Sequence, residues 1–246
     1  MRYLICGCIV IAMLLAPSLA HAGAQIYEPM SASVRAALHK AVSDQAVPHL
    51  AFTSEAEGLA WLTSMSQRLA RRFPDRRVRE ELLVTVHYEA KRAGLDPQMV
   101  LGLIQVESAF RKYAVSTAGA RGLMQVMPAT GRKIARAKGL RYKRAALNDP
   151  LTSLDFGTHY LRQMSERFSG AAEQVLAAYN AGPHRVDAWT AMRGEQSPEE
   201  FIETIPFSET RAYVMIVLAN REEYRRLYGL ARGASAPPPA VEGPRP

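Results

Sequence analysis

The fold class follows from residues 96–108, which read DPQMVLGLIQVES. Asp96 can cap a helix and Pro97 suits the first helical position, so we expect a helix that begins at residue 97 and ends near residue 108. Three apolar side chains share one face of this helix at α-helical spacing: Val100, Leu103 and Ile104. Glu107 follows Val100 by seven residues and lies on the same face. The stretch therefore predicts a helix with a carboxyl group on its apolar stripe.

Outward from this helix, apolar residues keep a spacing of three and four across most of residues 31–229, and no convincing stretch alternates with period two. The pattern predicts an all-α fold. Further helices are expected at about 54–73, 75–93, 128–138, 150–168, 172–181, 184–192 and 208–228, and residues 110–127 are expected to form a loop.

The amino terminus predicts an exported protein. Residues 1–22 resemble a signal peptide, with an uncharged apolar run over residues 4–16 and a small-x-small cleavage site at Ala20-His21-Ala22. The run is too short for a transmembrane helix, which needs about 20 apolar residues. Both cysteines, Cys6 and Cys8, lie inside this segment. Cleavage after Ala22 would leave 224 residues without cysteine, which argues against disulfides, cysteine nucleophiles and thiolate metal sites. We expect a periplasmic or otherwise exported protein.

Glu107 is the first candidate for chemistry. A carboxyl group on an apolar face loses hydration, and this raises its pKa toward the range that a general acid requires. The alternative interpretation is a frayed helix end at which Glu107 reaches water. Between Glu107 and Asp149 the sequence has no other acidic residue. The paired carboxylates of most glycosidases are therefore absent from this segment. In the following loop, Ser116 and Gln125 offer neutral groups that can orient a polar substrate.

Four motifs occur in order along the chain. They are ESxF at 107–110 followed by GAxGLMQVMP at 119–128, NxP at 148–150 leading to GxxYL at 157–161, AYNAGP at 178–183, and IPFxETRxYV at 205–214. In these motifs the sequence resembles the soluble lytic transglycosylases of glycoside hydrolase family 23. The fold of that family is related to goose-type lysozyme. The resemblance implies a lysozyme-like catalytic domain with a cleft at residues 76–230. We expect residues 23–75 before it to form extra N-terminal helices or a linker, and the composition of residues 231–246 predicts a disordered Pro/Ala-rich tail.

The resemblance also implies an activity. Family members cut the β-1,4 bond between N-acetylmuramic acid and N-acetylglucosamine in peptidoglycan and leave a 1,6-anhydromuramic acid end. Glu107 would be the single catalytic acid and base, and Tyr179 is expected to point its hydroxyl toward Glu107 or toward the substrate's acetamido group. The implied substrate-binding residues are Ser116, Gln125, Met127, Tyr179, Asn180 and Glu203. The alternative is a lysozyme-like muramidase that hydrolyses the same bond.

The implied partners are the glycan strands of peptidoglycan. General wall turnover and local opening of the wall are both compatible with the sequence, and the second would add a cell-envelope assembly machinery as a partner. The formal charge of +8 first suggests nucleic acid, but we interpret the basic segments, among them residues 133–144, as attraction to an anionic cell wall. We expect a monomer that binds neither nucleic acid nor a cofactor. We also expect no metal, because no His-Glu-x-x-His motif occurs.

Overall fold

Nine α-helices and one 3₁₀ helix form the described part of the chain, which is residues 47–192, 194 and 196–235 of a computed structural model. In chain order they are α1 Glu55–Leu69, α2 Arg76–Arg92, α3 Pro97–Ser108, α4 Pro128–Ala137, the 3₁₀ helix Arg144–Asn148, α5 Pro150–Arg167, α6 Ala172–Ala181, α7 Pro183–Ala191, α8 Pro198–Thr204 and α9 Ser208–Ser235. These residues contain two isolated β-bridges and no strand. The prediction of an all-α fold is confirmed.

Three helices begin where their capping residues predict. Ser54 accepts the backbone N–H of Glu57 at the start of α1, and Asp75 accepts that of Val78 at the start of α2. Asp96 accepts the backbone N–H of Gln98 and is followed by proline at the first position of α3. Each side chain satisfies an N–H group that the helix itself leaves without a partner.

Several helix boundaries differ from the prediction. Helix α1 ends at Leu69, before the expected end at residue 73, because Phe73 precedes a proline and is disfavoured in helical conformation. Helix α9 continues to Ser235, past the expected end at residue 228 and into the segment assigned to the tail. Gly229 and Gly233 are tolerated inside this long helix, and the chain meets its first helix-breaking proline only at Pro237.

Two short elements were not predicted. One is the 3₁₀ helix, and the other is α8. The beginning of α8 carries a capping box, in which Ser197 and Glu200 each accept the backbone N–H of the other. A serine three residues before a glutamate is a recognisable start signal, so this helix could have been found from the sequence.

Helix α9 is the central element of the core and packs mainly against α3, with further contacts to α1 and α6. The two helices approach closely at Gly102, where an added Cβ atom would lie 3.0 Å from the carbonyl oxygen of Val217. Glycine is therefore needed at this position of α3. The close antiparallel packing places the end of α3 beside the beginning of α9.

Two glycines from the predicted motifs fix the loop that follows α3. A Cβ atom on Gly157 would lie 2.4 Å from the sulfur of Met124, and one on Gly122 would lie 1.9 Å from the carbonyl oxygen of Leu147. Neither position can hold a side chain without displacing the loop. The first and second motifs are thus in direct contact.

The predicted signal peptide, residues 23–46 and the last residues of the chain, 236–246, lie outside the described residues. In the part of the chain that the structure does describe, no helix has both the length and the apolar character needed to span a membrane.

Candidate active site

Glu107 lies in the last turn of α3, where the chain changes direction abruptly. Ala109 and Phe110 follow the helix with φ angles of 49° and 60°, which non-glycine residues rarely adopt. Phe110 is buried, and its ring packs edge-on against Phe73 at 6.4 Å. The buried ring holds the chain in this turn, so the loop after α3 begins directly beside the carboxyl group of Glu107.

The carboxyl group has one hydrogen-bond partner among the described residues. The hydroxyl of Tyr213, near the start of α9, donates to Oε1 of Glu107 over 2.7 Å. Tyr213 is buried and belongs to the fourth motif, yet it was not predicted as a site residue. A tyrosine among the apolar residues of a helix is typical of packing alone. Because 106 residues separate it from Glu107, local spacing could not have joined the two.

Burial raises the pKa of Glu107 from 4.5 to about 7, and the hydrogen bond from Tyr213 acts in the opposite direction. In the described part of the chain, no cation or second carboxylate contributes to this pKa. Burial, followed by the charge of Glu107, also holds the pKa values of Tyr179 and Tyr213 well above their ordinary range. Near neutral pH both phenols are protonated, and Glu107 exists in comparable amounts as acid and carboxylate.

Tyr179 lies near Glu107 but makes a different contact from the one expected. Its hydroxyl donates to the backbone carbonyl of Met124 over 2.8 Å, and not to Glu107. Its ring packs against Tyr160 with 5.2 Å between centroids. The Tyr179 hydroxyl therefore does not bond Glu107, and the other expected direction, toward the substrate's acetamido group, stays a prediction. The hydroxyl satisfies a carbonyl of the loop and fixes that loop against α6.

Ser116 and Gln125 hold the loop through side-chain hydrogen bonds to its backbone. The Ser116 hydroxyl accepts the N–H of Ala120 over 3.0 Å. The Gln125 amide nitrogen donates to the carbonyls of Ala114 and Gly122, over 3.0 and 2.9 Å. Gln125 itself has a φ of 46°, a strained conformation that these bonds support. The side chains proposed to bind substrate also determine the shape of the loop.

The remaining predicted residues lie on three different elements. Met127 precedes α4 and is 42% exposed. Asn180 accepts a hydrogen bond from the Thr210 hydroxyl over 2.8 Å and lines a pocket of about 460 Å³ together with Arg185 and Phe207. Glu203 is exposed on α8 and forms no hydrogen bond or ion pair within the described residues. No hydrogen bond joins it to the other predicted residues.

Comparisons with known proteins agree with this architecture. Residues 85–202 match the family described as Transglycosylase SLT domain, and residues 204–232 match the family described as Soluble lytic transglycosylase helical domain. The chain therefore carries a transglycosylase SLT domain at residues 85–202. The first match runs from the second half of α2 into α8 and includes Glu107, and the second covers most of α9.

Sequence relatives of this SLT protein include the soluble lytic murein transglycosylase of Escherichia coli K12, which is 38% identical over 132 residues, 52% of this chain and 20% of the relative. The membrane-bound lytic murein transglycosylase C of Edwardsiella ictaluri is 31% identical over 192 residues, 69% of this chain and 53% of the relative. The chain thus spans about a fifth of its soluble relatives and about half of its membrane-bound ones.

A solved structure of the lytic transglycosylase Slt from Pseudomonas aeruginosa superposes with a TM-score of 0.57 at 35% identity. The match covers 74% of this chain and 29% of that one. The solved protein is an inactive mutant in which a glutamate is replaced by glutamine. The lysozyme-like helical fold that the motifs implied is therefore confirmed for the SLT protein.

Proposed function

We propose that this SLT protein is an exported lytic transglycosylase that cleaves the β-1,4 bond between N-acetylmuramic acid and N-acetylglucosamine of peptidoglycan and forms 1,6-anhydromuramic acid ends. The observation that carries the proposal is the environment of Glu107. This carboxyl group is partly buried at the end of α3, accepts a hydrogen bond from one phenol, and has a pKa raised to about 7.

Glu107 is suited to act first as an acid. With its pKa near neutral, a large fraction of the carboxyl group holds the proton that must reach the glycosidic oxygen as the bond breaks. The substrate's own 2-acetamido group would then stabilise the positive charge that develops at C1. Such substrate assistance removes the need for a second protein carboxylate. The surroundings of Glu107 agree with such a scheme, because no other carboxylate in the described part of the chain affects its pKa.

The same carboxyl group is suited to act next as a base. After it has donated its proton, Glu107 is a carboxylate, and it can take a proton from the C6 hydroxyl of the muramic acid while that oxygen bonds to C1. This restores the protonated acid and closes the 1,6-anhydro ring. The Tyr213 hydroxyl would stabilise the carboxylate between the two steps, since it already donates to Oε1.

The relatives support this proposal at the level of their names. Those from Escherichia coli and Edwardsiella ictaluri are named lytic murein transglycosylases, and an inactive Pseudomonas aeruginosa relative carries a glutamate-to-glutamine change. Ser116, Gln125, Met127, Tyr179, Asn180 and Glu203 would line or shape the glycan cleft beside Glu107.

Product analysis tests the proposal. The purified protein, incubated with peptidoglycan, should release muropeptides with anhydro ends, identified by mass spectrometry. A muramidase would instead give reducing products that are heavier by one water, and such products would overturn the transglycosylase assignment.

Glu107→Gln serves as the matched variant. It keeps the size of the side chain but removes its proton transfer, so we expect at least a 1,000-fold loss of turnover, on the order of what general acid–base catalysis contributes. Its helical circular dichroism should remain that of the parent protein. Undiminished turnover would remove Glu107 from the catalytic role.

A further inference from the structure

The segment from Ser108 to Asn148 has an unusual charge pattern. It contains ten basic residues and no acidic residue. It includes the loop beside Glu107, helix α4 and the 3₁₀ helix. Charged surfaces usually interleave both signs, so a run of this length without an anion is not explained by solubility alone.

None of the six arginines of this segment forms an ion pair among the described residues, and three of them lie around one side chain, Tyr142. No carboxylate lies within ion-pair distance of Arg121, Arg132 or Arg144 in the described part of the chain. Elsewhere, exposed arginines such as Arg76 and Arg162 bond a glutamate four residues further along their helix. We call Arg121, Arg132 and Arg144 the arginine patch.

The three cations of the arginine patch act at one place, around Tyr142. The guanidinium of Arg132 lies over the Tyr142 ring, 5.7 Å from its centroid. Burial raises the pKa of Tyr142, and the charges of Arg132, Arg144 and Arg121 lower it in turn. The patch therefore brings together positions 23 residues apart, and Arg132 and Arg144 are both exposed. Like charges held close to one another repel, and a bound anion would relieve this repulsion.

The arginine patch borders the loop beside Glu107. The backbone N–H of Arg121 donates to the carbonyl of Val126, and that of Val126 donates back to Arg121. Ala120, the residue before Arg121, bonds Ser116 through both its N–H and its carbonyl. Arg121 is thus built into the loop that carries Ser116 and Gln125.

We propose that the arginine patch binds the free carboxylates of the stem peptides of peptidoglycan. This inference rests on the proposed function, because it assumes that a glycan strand lies along the loop beside Glu107. The peptide of each muramic acid projects from the sugar and carries carboxylates beyond the glycan chain. Arginine suits such a ligand, because its planar fork can donate two parallel hydrogen bonds to one carboxylate.

The test compares two double variants with equal charge change. Arg132→Gln with Arg144→Gln removes the exposed members of the patch. Arg71→Gln with Arg72→Gln removes two exposed arginines from the turn after α1, which are also without an ion pair among the described residues. Each protein is assayed on intact sacculi and on the same sacculi after amidation of their carboxylates, with pelleting to measure binding and anhydro-muropeptide release to measure turnover.

On intact sacculi, the patch variant should bind about 3- to 10-fold more weakly than the parent, since each exposed ion pair contributes little. The turn variant should bind like the parent. On amidated sacculi, the parent and the patch variant should be indistinguishable. Equal losses in the two variants, or a loss that persists after amidation, would overturn the proposal.

The outcomes also separate this inference from the proposed function. If the patch variant binds normally while products keep their anhydro ends and depend on Glu107, only the patch assignment fails. If the products lack anhydro ends, the proposed reaction fails whatever the binding result.

Discussion

A partly buried and a fully buried carboxyl group in this protein have opposite surroundings. Glu107, at the end of α3, accepts one hydrogen bond from a neutral phenol. Asp155, inside α5 and 1% exposed, accepts hydrogen bonds from Arg92 and Lys138, each over 2.5 Å. Glu89 shares Arg92, so that three helical segments meet at these charges.

The difference between the two sites is the presence of cations. Burial removes water from both and so disfavours ionisation. At Glu107 no cation from the described residues offsets this effect, and the pKa of that group rises to about 7. At Glu89, burial also leaves the pKa raised, but the hydrogen bond and the charge of Arg92 oppose this rise. A buried carboxyl group next to cations holds helices together, whereas one next to a phenol is left able to exchange a proton.

Removing the charge of Asp155 gives the largest expected effect on stability. Asp155→Asn leaves Arg92 and Lys138 without their shared anion, and both side chains are largely buried, 30% and 21% exposed. We expect the free energy of unfolding at pH 7 to fall by about 3 kcal/mol, as for other broken buried ion pairs. Urea unfolding measures this. Arg162→Gln, which breaks an exposed pair with Glu166, serves as control and should cost less than about 1 kcal/mol. Equal losses would mean that the Asp155 cluster is no more than a surface pair.

The equivalent change at Glu107 should have the opposite sign. The folded pKa of about 7 lies above the ordinary value of 4.5, so this group favours folding fully below pH 4.5, and that contribution is lost as the pH rises through 7. A glutamine at position 107 does not ionise, so the stability of the Glu107→Gln variant does not fall over this pH range for that reason. Relative to the parent, the variant should gain about 2 to 3 kcal/mol of stability between pH 4.5 and pH 8. Urea unfolding of both proteins across this range measures the difference, and a pH-independent difference would contradict the raised pKa.

The phenol partner of Glu107 should have the smallest effect. The hydrogen bond from Tyr213 lowers the pKa of Glu107, so Tyr213→Phe should move the alkaline limb of the pH–rate profile to higher pH. Turnover at the optimum should fall about tenfold, because the carboxylate formed in the first step loses its donor. The anhydro-muropeptide assay at a series of pH values measures both effects.

Tyr224→Phe is the matched control for this change. Tyr224 is also buried on α9, and its hydroxyl donates to Gln105 over 2.8 Å, not to Glu107. Loss of that hydroxyl should lower stability and leave the pH profile in place. A common shift in both variants would mean that Tyr213 acts only through packing.

Of the two carboxyl groups, only Glu107 could be singled out from the sequence. The stripe of residues 96–108 placed Glu107 on an apolar face and favoured a raised pKa, and the structure agrees with that direction while leaving the side chain partly exposed. The pattern gave no sign of Tyr213, nor of the bond between Tyr179 and Met124. The charge cluster at Asp155 was also not predicted, because Arg92 is 63 residues away in the chain. Such contacts depend on which helices pack together.

The sequence by itself determined where many of the helices begin and which face of each is apolar, because caps and helical periodicity are local properties. It also placed in the last turn of α3 a glutamate that has no second carboxylate in the loop that follows. Only the tertiary structure decided what that glutamate touches. The close approach of α3 and α9 at Gly102 sets the position at which Tyr213 meets Glu107. The packing of α2 against α5 likewise brings Arg92 to Asp155, and the end of α4 brings Lys138. The partners of a buried carboxyl group decide whether it keeps its proton, and those partners come from distant parts of the chain.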